Sequence, residues 1–291
     1  MKPAPVAYAA PRYLADALEL IETHADGAKA LAGGQSLVPL LNMRLARPSL
    51  LVDLNRIPEL AGVRREDTRY VIGAMTRQRT AENHPDLARD LLILREALGW
   101  VGHIQIRNRG TIGGSLAHAD PSAELPLLAV LLDIELRLES RSGARVVPAR
   151  EFFLSYLTTS LAPTELLTEV FVPIPRMGAG WAFGEVARRH GDFALVAAGV
   201  MLQLDLAGRI DQVQIAVGGA HPVPVRFETA EASLHGHAPE AGVFAEVAEI
   251  GARALEPEAD VHASAGYRRR VAARLVHDLL GQALARARTS Q

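Results

Sequence analysis

The chain has 291 residues, 49% of them apolar, which is enough for one or two cores of ordinary domain size. Its formal charge of -2 leaves no broad cationic surface to neutralise phosphate chains, so nucleic acid is not an expected partner. Cysteine is absent, which excludes disulfides, thiolate metal sites, iron–sulfur ligation and a cysteine nucleophile together, so any metal redox centre belongs to another chain.

The N-terminus lacks the continuous apolar core of a signal peptide, and no stretch approaches the roughly 20 apolar residues of a membrane helix, so a cytoplasmic protein is expected. Leu14, Ala17, Leu18 and Ile21 recur at helical spacing, and Asp26 with Gly27 supplies a stop. Residues 28–32 read as a strand, Gly33 and Gly34 as a turn, 37–46 as a helix and 50–54 as a buried strand. A strand over 70–74 and a helix over 86–100 follow. Residues 107–126 are rich in Gly, Ser, Asp and Pro without periodicity and are expected to be irregular; loops of that length usually have a function.

Further on, 125–132 reads as a helix and 134–138, 145–147 and 167–172 as strands, before Pro173 and Pro175 punctuate the chain. Strands are expected over 182–187, 194–204 and 212–217, with Ala207, Gly208 and Arg209 turning between the last two. Helices over 241–255 and 264–287 close the sequence. A boundary is expected near 174–180, giving units of 1–176 (parts of about 1–55 and 56–176) and 177–291. The irregular alternation of strands and helices favours an α+β fold over a doubly wound parallel sheet.

Ala32, Gly33, Gly34, Gln35 and Ser36 lie between a strand and a helix, where glycine allows a tight turn and lets backbone N–H groups approach an anion. A diphosphate suits such a place, with the Ser36 hydroxyl and the helix N-terminus adding to it. A single glycine pair is also what an ordinary capped turn needs. Arg107, Asn108, Arg109, Gly110, Thr111, Ile112, Gly113, Gly114 and Ser115 form a second glycine element with hydroxyls on both sides, so two cradles could clamp a dinucleotide. Neither matches Gly-x-Gly-x-x-Gly or the phosphate loop ending in Gly-Lys-Ser/Thr, which disfavours the common nucleotide folds.

The string LAGGQSLVPLLNMRLARPSLLVDLNRIPEL, then IRNRGTIGGSLAHADPSAELP, RRHGDFALVAAGV and DVHASAGYRRRVAARL, in that order, resembles the FAD-binding medium subunit of the molybdenum hydroxylases, the family of aerobic carbon monoxide dehydrogenase and xanthine dehydrogenase. The resemblance covers nearly the whole chain. It implies a vanillyl-alcohol-oxidase-type (PCMH-type) two-part FAD domain followed by a smaller domain of antiparallel sheet and helices. It further implies that Ala32, Gly33, Gly34, Gln35, Ser36 and Leu37, with Thr111, Ile112, Gly113, Gly114 and Ser115, take the FAD diphosphate. Glu124 would take the ribose, Leu167 would lie near the adenine or the ring, and Phe193 would cover one isoalloxazine face. Some relatives carry a lysine where this chain has Phe183, Gly184 and Glu185, so a cation beside the flavin is not assured.

His118 and Asp120 flank Ala119 and could form a proton-transfer pair, although hydrogen bonding within the loop is the simpler expectation. His235 and His237 lack the further ligands of a tetrahedral metal site and read as surface. Without the resemblance, Phe193 would read as a core residue opening an apolar strand. Arg268, Arg269, Arg270 and Arg274 read as a solvated helix face.

The resemblance implies an oxidoreductase subunit in which FAD is fed from the 2Fe–2S clusters of a small partner chain. Substrate would be oxidised at a molybdenum cofactor on a large partner chain, in a dimer of three-chain units. No side chain need act as a nucleophile, since the cofactor carries the chemistry. Two alternatives remain open. A self-sufficient flavin reductase or oxidase would turn over alone, and a non-enzymatic assembly module would show no redox change with partners.

Overall fold

Ala17, Leu18 and Ile21 fall on one face of an eleven-residue helix, and burying that face against a small sheet builds the first layer of the protein. A computed structural model describes residues 2–189 and 191–289. Its chain begins with β1 (Ala7–Ala9), α1 (Leu14–His24), β2 (Ala28–Leu31), α2 (Leu37–Asn42) and β3 (Leu50–Asp53). The strands form a parallel sheet in the order β1-β3-β2, with Ala28 opposite Leu50 and Leu31 opposite Asp53. The helix expected over 37–46 stops at Asn42, because Arg44 takes a left-handed backbone, φ 60°, that helical hydrogen bonding does not survive.

The second part holds β4 (Val63–Arg65), β5 (Arg69–Gly73), α3 (Gln78–Glu82), α4 (Pro85–Asp90), α5 (Leu92–Trp100), α6 (Ile104–Arg109), α7 (Ile112–His118) and α8 (Glu124–Leu131). There follow β6 (Glu135–Ser140), β7 (Gly143–Pro148), α9 (Ala149–Phe152), β8 (Phe153–Ser155), β9 (Thr158–Thr159) and β10 (Leu166–Pro173). Its antiparallel sheet runs β4-β5-β10-β6-β7, and β8 pairs with β9 as a separate hairpin. The helix expected over 86–100 is broken at Leu91, whose φ of -130° and ψ of 55° lie outside the helical region.

The expectation of an irregular stretch over 107–126 is corrected, since α6, α7 and the start of α8 occupy most of it. Composition pointed to a loop because small polar residues favour turns. Here Thr111 caps α7, its Oγ1 accepting the Gly114 amide at 3.0 Å, and Gly113 packs where a Cβ would lie 2.8 Å from Ala74 Cα.

The third part comprises β11 (Gly180–Val186), β12 (Val196–Leu204), β13 (Ile210–Gly218), β14 (Val225–Arg226), α10 (Glu228–Leu234), α11 (Ala241–Arg253) and α12 (Ala265–Thr289). Its antiparallel sheet runs in sequence order, and α12 packs along β11 and β12. The other face meets α8, every residue of which from Leu125 to Leu131 is buried; a helix apolar all round needs protein on all sides. Helices and antiparallel sheets in separate layers, with one small parallel sheet, make the fold α+β. No helix among the described residues is long and apolar enough to cross a membrane.

The arginine run of α12 is not uniformly a solvated face. Arg268 is 7% exposed and shares a stripe with Ala272, Val276, Leu280, Ala283 and Ala287. It donates to Leu195 O at 2.5 Å, to Gly219 O at 2.9 Å and to Asp260 Oδ2 at 2.7 Å. Arg269 donates to Leu255 O at 3.0 Å, while Arg274, among the described residues, reaches only its helical neighbour Asp278.

Candidate functional site

The end of β2 sets the geometry. Ala32 and Gly33 leave the sheet, and Gly34, at φ 74°, reverses the chain into α2. Asn55, just beyond β3, donates to Ala32 O at 2.9 Å and fixes the turn from behind. Among the described residues, the successive amides of Gly33, Gly34, Gln35, Ser36 and Leu37 have no acceptor. A row of unpaired backbone donors at a turn leading into a helix offers hydrogen bonds to an anion.

The second glycine element lies directly against the first. Gly33 has no room for a side chain: a Cβ there would collide with Arg109 O and lie 2.8 Å from Gly110 Cα. A Cβ on Gly114 would stand 3.1 Å from the Cβ of Ala32. Arg77 ties the two together, one guanidinium nitrogen on Asn55 Oδ1 and another on Arg109 O. Arg77 and Asn55 were not marked in the sequence, where they look like ordinary polar loop residues; only the pairing of the two turns gives them a task.

The two elements differ in what they offer. The expectation of a second backbone cradle is corrected for residues 112–115, whose amides are already used. Ile112 N donates to Thr76 O at 3.0 Å, Gly113 N to Ala74 O at 2.8 Å, Gly114 N to Thr111 Oγ1 at 3.0 Å and Ser115 N to Thr111 O at 3.2 Å. What remains available from this element, among the described residues, is the Thr111 amide, the Ser115 hydroxyl and the donor half of the buried Thr111 hydroxyl. The first turn thus brings amides and the second a rigid wall with hydroxyls.

Glu124 opens α8 beyond the second turn. Burial, with Glu185 and Asp120 adding to it and its own amide and Arg107 opposing, pushes its carboxyl up to about 8. Glu185 of β11 rises to about 7, through burial. An unfolded glutamate loses its proton near 4.5, so across the interval up to about 8 the folded chain binds more protons and its stability falls as pH rises. The FAD-free chain is therefore expected to melt lower at pH 8.5 than at pH 6, and Glu124→Gln to flatten that slope. Thermal melts across this range check the prediction, and an unchanged slope in the variant contradicts it.

Phe193 is 69% exposed, so it does not pack in a core and its ring is free to cover a ligand face. It sits in the turn between β11 and β12, where a Cβ on Gly191 would meet the His103 ring, bringing this turn to the residue before α6. His190 of the same turn lies outside the described residues. Leu167 is 5% exposed and embedded in the core of the second part, at a bulge where β10 meets β6, so its side chain does not line an opening. Asp120 Oδ1 accepts the Ser122 amide at 2.9 Å, which spends that oxygen inside the loop, and burial lowers the His118 pKa. His235 is exposed and bonds Asp211 O at 2.7 Å.

A donor-lined turn packed against a second turn that carries hydroxyls, with an exposed aromatic ring in the turn that meets His103, suits a subunit that holds an anionic cofactor such as a flavin dinucleotide. The comparisons with known proteins give the family. Residues 4–175 match the FAD binding domain in molybdopterin dehydrogenase, and residues 181–283 match the CO dehydrogenase flavoprotein C-terminal domain. The chain belongs to this family, the FAD-binding medium subunits of the molybdenum hydroxylases, and FAD is its cofactor.

Among relatives, the 6-hydroxypseudooxynicotine dehydrogenase complex subunit alpha of Paenarthrobacter nicotinovorans is 43% identical, over 100% of this chain and 98% of its own. The carbon monoxide dehydrogenase medium chain of Hydrogenophaga pseudoflava is 35% identical, over 96% and 97%. A chain of the solved carbon monoxide dehydrogenase from Hydrogenophaga pseudoflava superimposes with a TM-score of 0.96 at 37% identity, covering 98% of this chain and 99% of that one. Quinoline 2-oxidoreductase from Pseudomonas putida 86 gives 0.95 at 36%, covering 99% of each.

Proposed function

We propose that this chain is the electron-transfer subunit of a molybdenum-containing hydroxylase or dehydrogenase, taking electrons from 2Fe–2S clusters on a small partner chain and passing them to an external acceptor. The observation that carries the reading is the row of unpaired amides at residues 33–37, held against the second glycine turn. Residues 1–176 would form the FAD unit, and residues 177–291 would bring Phe193 and Glu185 to it. Relatives named as a complex subunit and as medium chains support a multi-subunit setting, here a molybdenum-cofactor large chain and an iron–sulfur small chain in a dimer of three-chain units.

Bound FAD supplies the ability to accept electrons one at a time and to release them as a pair. The chain's own residues bind and orient. The amides of residues 33–37 fix the diphosphate, with the Ser115 and Thr111 hydroxyls facing it. Glu124 accepts ribose hydroxyls, and a carboxyl held neutral by burial returns toward its ionised form when such donors reach it. Leu167 contributes packing behind the nucleotide, and Phe193 shields one ring face from water. The acceptor is then set by whatever reaches the other face.

Phe193→Ala is expected to leave the melting temperature of the FAD-free chain unchanged, because so exposed a ring contributes little packing. It should instead alter the flavin absorption spectrum and the rate of reoxidation. A variant that unfolds would assign Phe193 to packing. The reading as a whole is tested by purifying the chain from its native host and recording its visible spectrum and its companions. Bound FAD together with molybdenum and iron–sulfur chains is the expected result; a chain purified alone, colourless even after incubation with FAD, overturns it.

A further inference from the structure

Among the described residues, Glu185 is the one carboxyl with both oxygens buried and without any hydrogen-bond partner. Its place in β11 explains which way it looks. Alternation along the strand puts Ala182 and Gly184 toward α12, where a Cβ on Gly184 would touch Leu275 and Leu279 at 3.4 Å. Phe183 faces the opposite way, into the core that contains Leu125 and Leu127 of α8. Glu185 shares the face of Phe183 and therefore looks toward the start of α8, where its charge acts on Glu124. One residue of β11 follows it before the chain enters the turn that carries Phe193.

A buried carboxyl without a donor destabilises the fold that holds it, whether ionised or protonated, unless a group outside the chain completes it. The groups expected on either side of Glu185 are the adenosine ribose, assigned to Glu124, and the isoalloxazine, assigned to Phe193, and the ribityl chain of FAD lies between those two groups. We infer that Glu185 is a further cofactor-positioning residue, whose carboxyl accepts a hydrogen bond from the flavin half of FAD, either a ribityl hydroxyl or the ring imide N–H. The inference rests on the FAD reading of the site. It gives the carboxyl a partner that the chain itself lacks, and it accounts for a polar residue on a strand face that is otherwise apolar. The elevated pKa of Glu185, about 7, fits a carboxyl that waits for a donor.

A positioning role and a structural role predict opposite signs in the FAD-free protein. Glu185→Leu removes the uncompensated carboxyl, so the FAD-free full-length chain should melt several degrees higher than wild type while its dissociation constant for FAD rises roughly ten-fold or more. Glu185→Gln keeps an acceptor oxygen and should fall between the two in affinity. Melting of the FAD-free chain and flavin fluorescence titration give both readouts without catalysis. N3-methylated FAD then tells the donors apart: weakened binding to wild type, with no further loss in Glu185→Leu, marks the imide, and normal binding marks a ribityl hydroxyl.

Wild-type affinity for FAD in both variants overturns the inference while leaving the FAD site intact. A Glu185→Leu chain that melts lower than wild type overturns it in favour of a structural carboxyl, and if that variant does not fold, the Glu185→Gln affinity decides. Failure of wild type itself to bind FAD removes the reading of the site and this inference together.

Discussion

A Gly33→Val chain is expected to fold yet retain no FAD, with affinity reduced at least about a hundred-fold. The cause is not simply a side chain in the diphosphate's space. A Cβ at position 33 collides with Arg109 O and comes to 2.8 Å of Gly110 Cα, and these are backbone atoms that cannot rotate away. The turns must separate, at a cost of order 1–3 kcal/mol for overpacking, and the amide row then no longer faces the Thr111 and Ser115 hydroxyls. Gly34→Val acts differently: the positive φ of 74° strains any β-branched residue, and the Cβ lies 3.2 Å from Val38 Cγ2. Far-ultraviolet circular dichroism with flavin content of the purified variants checks both expectations. Wild-type FAD content in a folded Gly33→Val chain would show that the contact between the turns is dispensable.

Arg268→Met is expected to be among the most destabilising single changes in the third part of the chain, by about 3 kcal/mol. The side chain bridges Leu195 O, Gly219 O and Asp260, so its loss strands two carbonyls at a place with little water. Methionine fills much of the volume, which isolates the electrostatic loss from a cavity effect. For a chain of 291 residues the change corresponds to roughly 5 °C in melting temperature. Because Leu195 lies two residues after Phe193 and immediately before β12, loosening it should also broaden the range of positions open to the Phe193 ring. Differential scanning calorimetry measures the first effect, and a melting temperature within a degree of wild type would contradict it.

These two residues mark how far the sequence carries. The glycine turns, the order of motifs and most long elements were legible, because local backbone chemistry and apolar period report on local structure. Strands over 182–187 and 212–217 appear at Gly180–Val186 and Ile210–Gly218, within a few residues. Arg268 was misjudged by composition, although its spacing from Ala272, Val276 and Leu280 placed it on the buried stripe of α12; period was the better guide there than charge. Phe193 shows the reverse, since hydrophobicity alone assigns it to a core whereas the structure leaves it 69% exposed.

Other features were not accessible from one dimension. Whether the amides of residues 112 and 113 are free depends on Thr76 and Ala74, which arrive from another strand end. The clamp made by Arg77 and Asn55 exists only once both turns are in contact. Glu185 carries no local signal of isolation, because a missing partner is a property of everything packed around it.

Titration of the FAD-free chain with FAD and with riboflavin, under identical conditions, measures what the unpaired amides at residues 33–37 do. Charge-assisted hydrogen bonds to a diphosphate, at about 1.5–3 kcal/mol each, should make FAD bind at least about a hundred-fold more tightly than riboflavin. Equal affinities would mean that the turn holds no diphosphate and that the flavin, if bound, is held elsewhere.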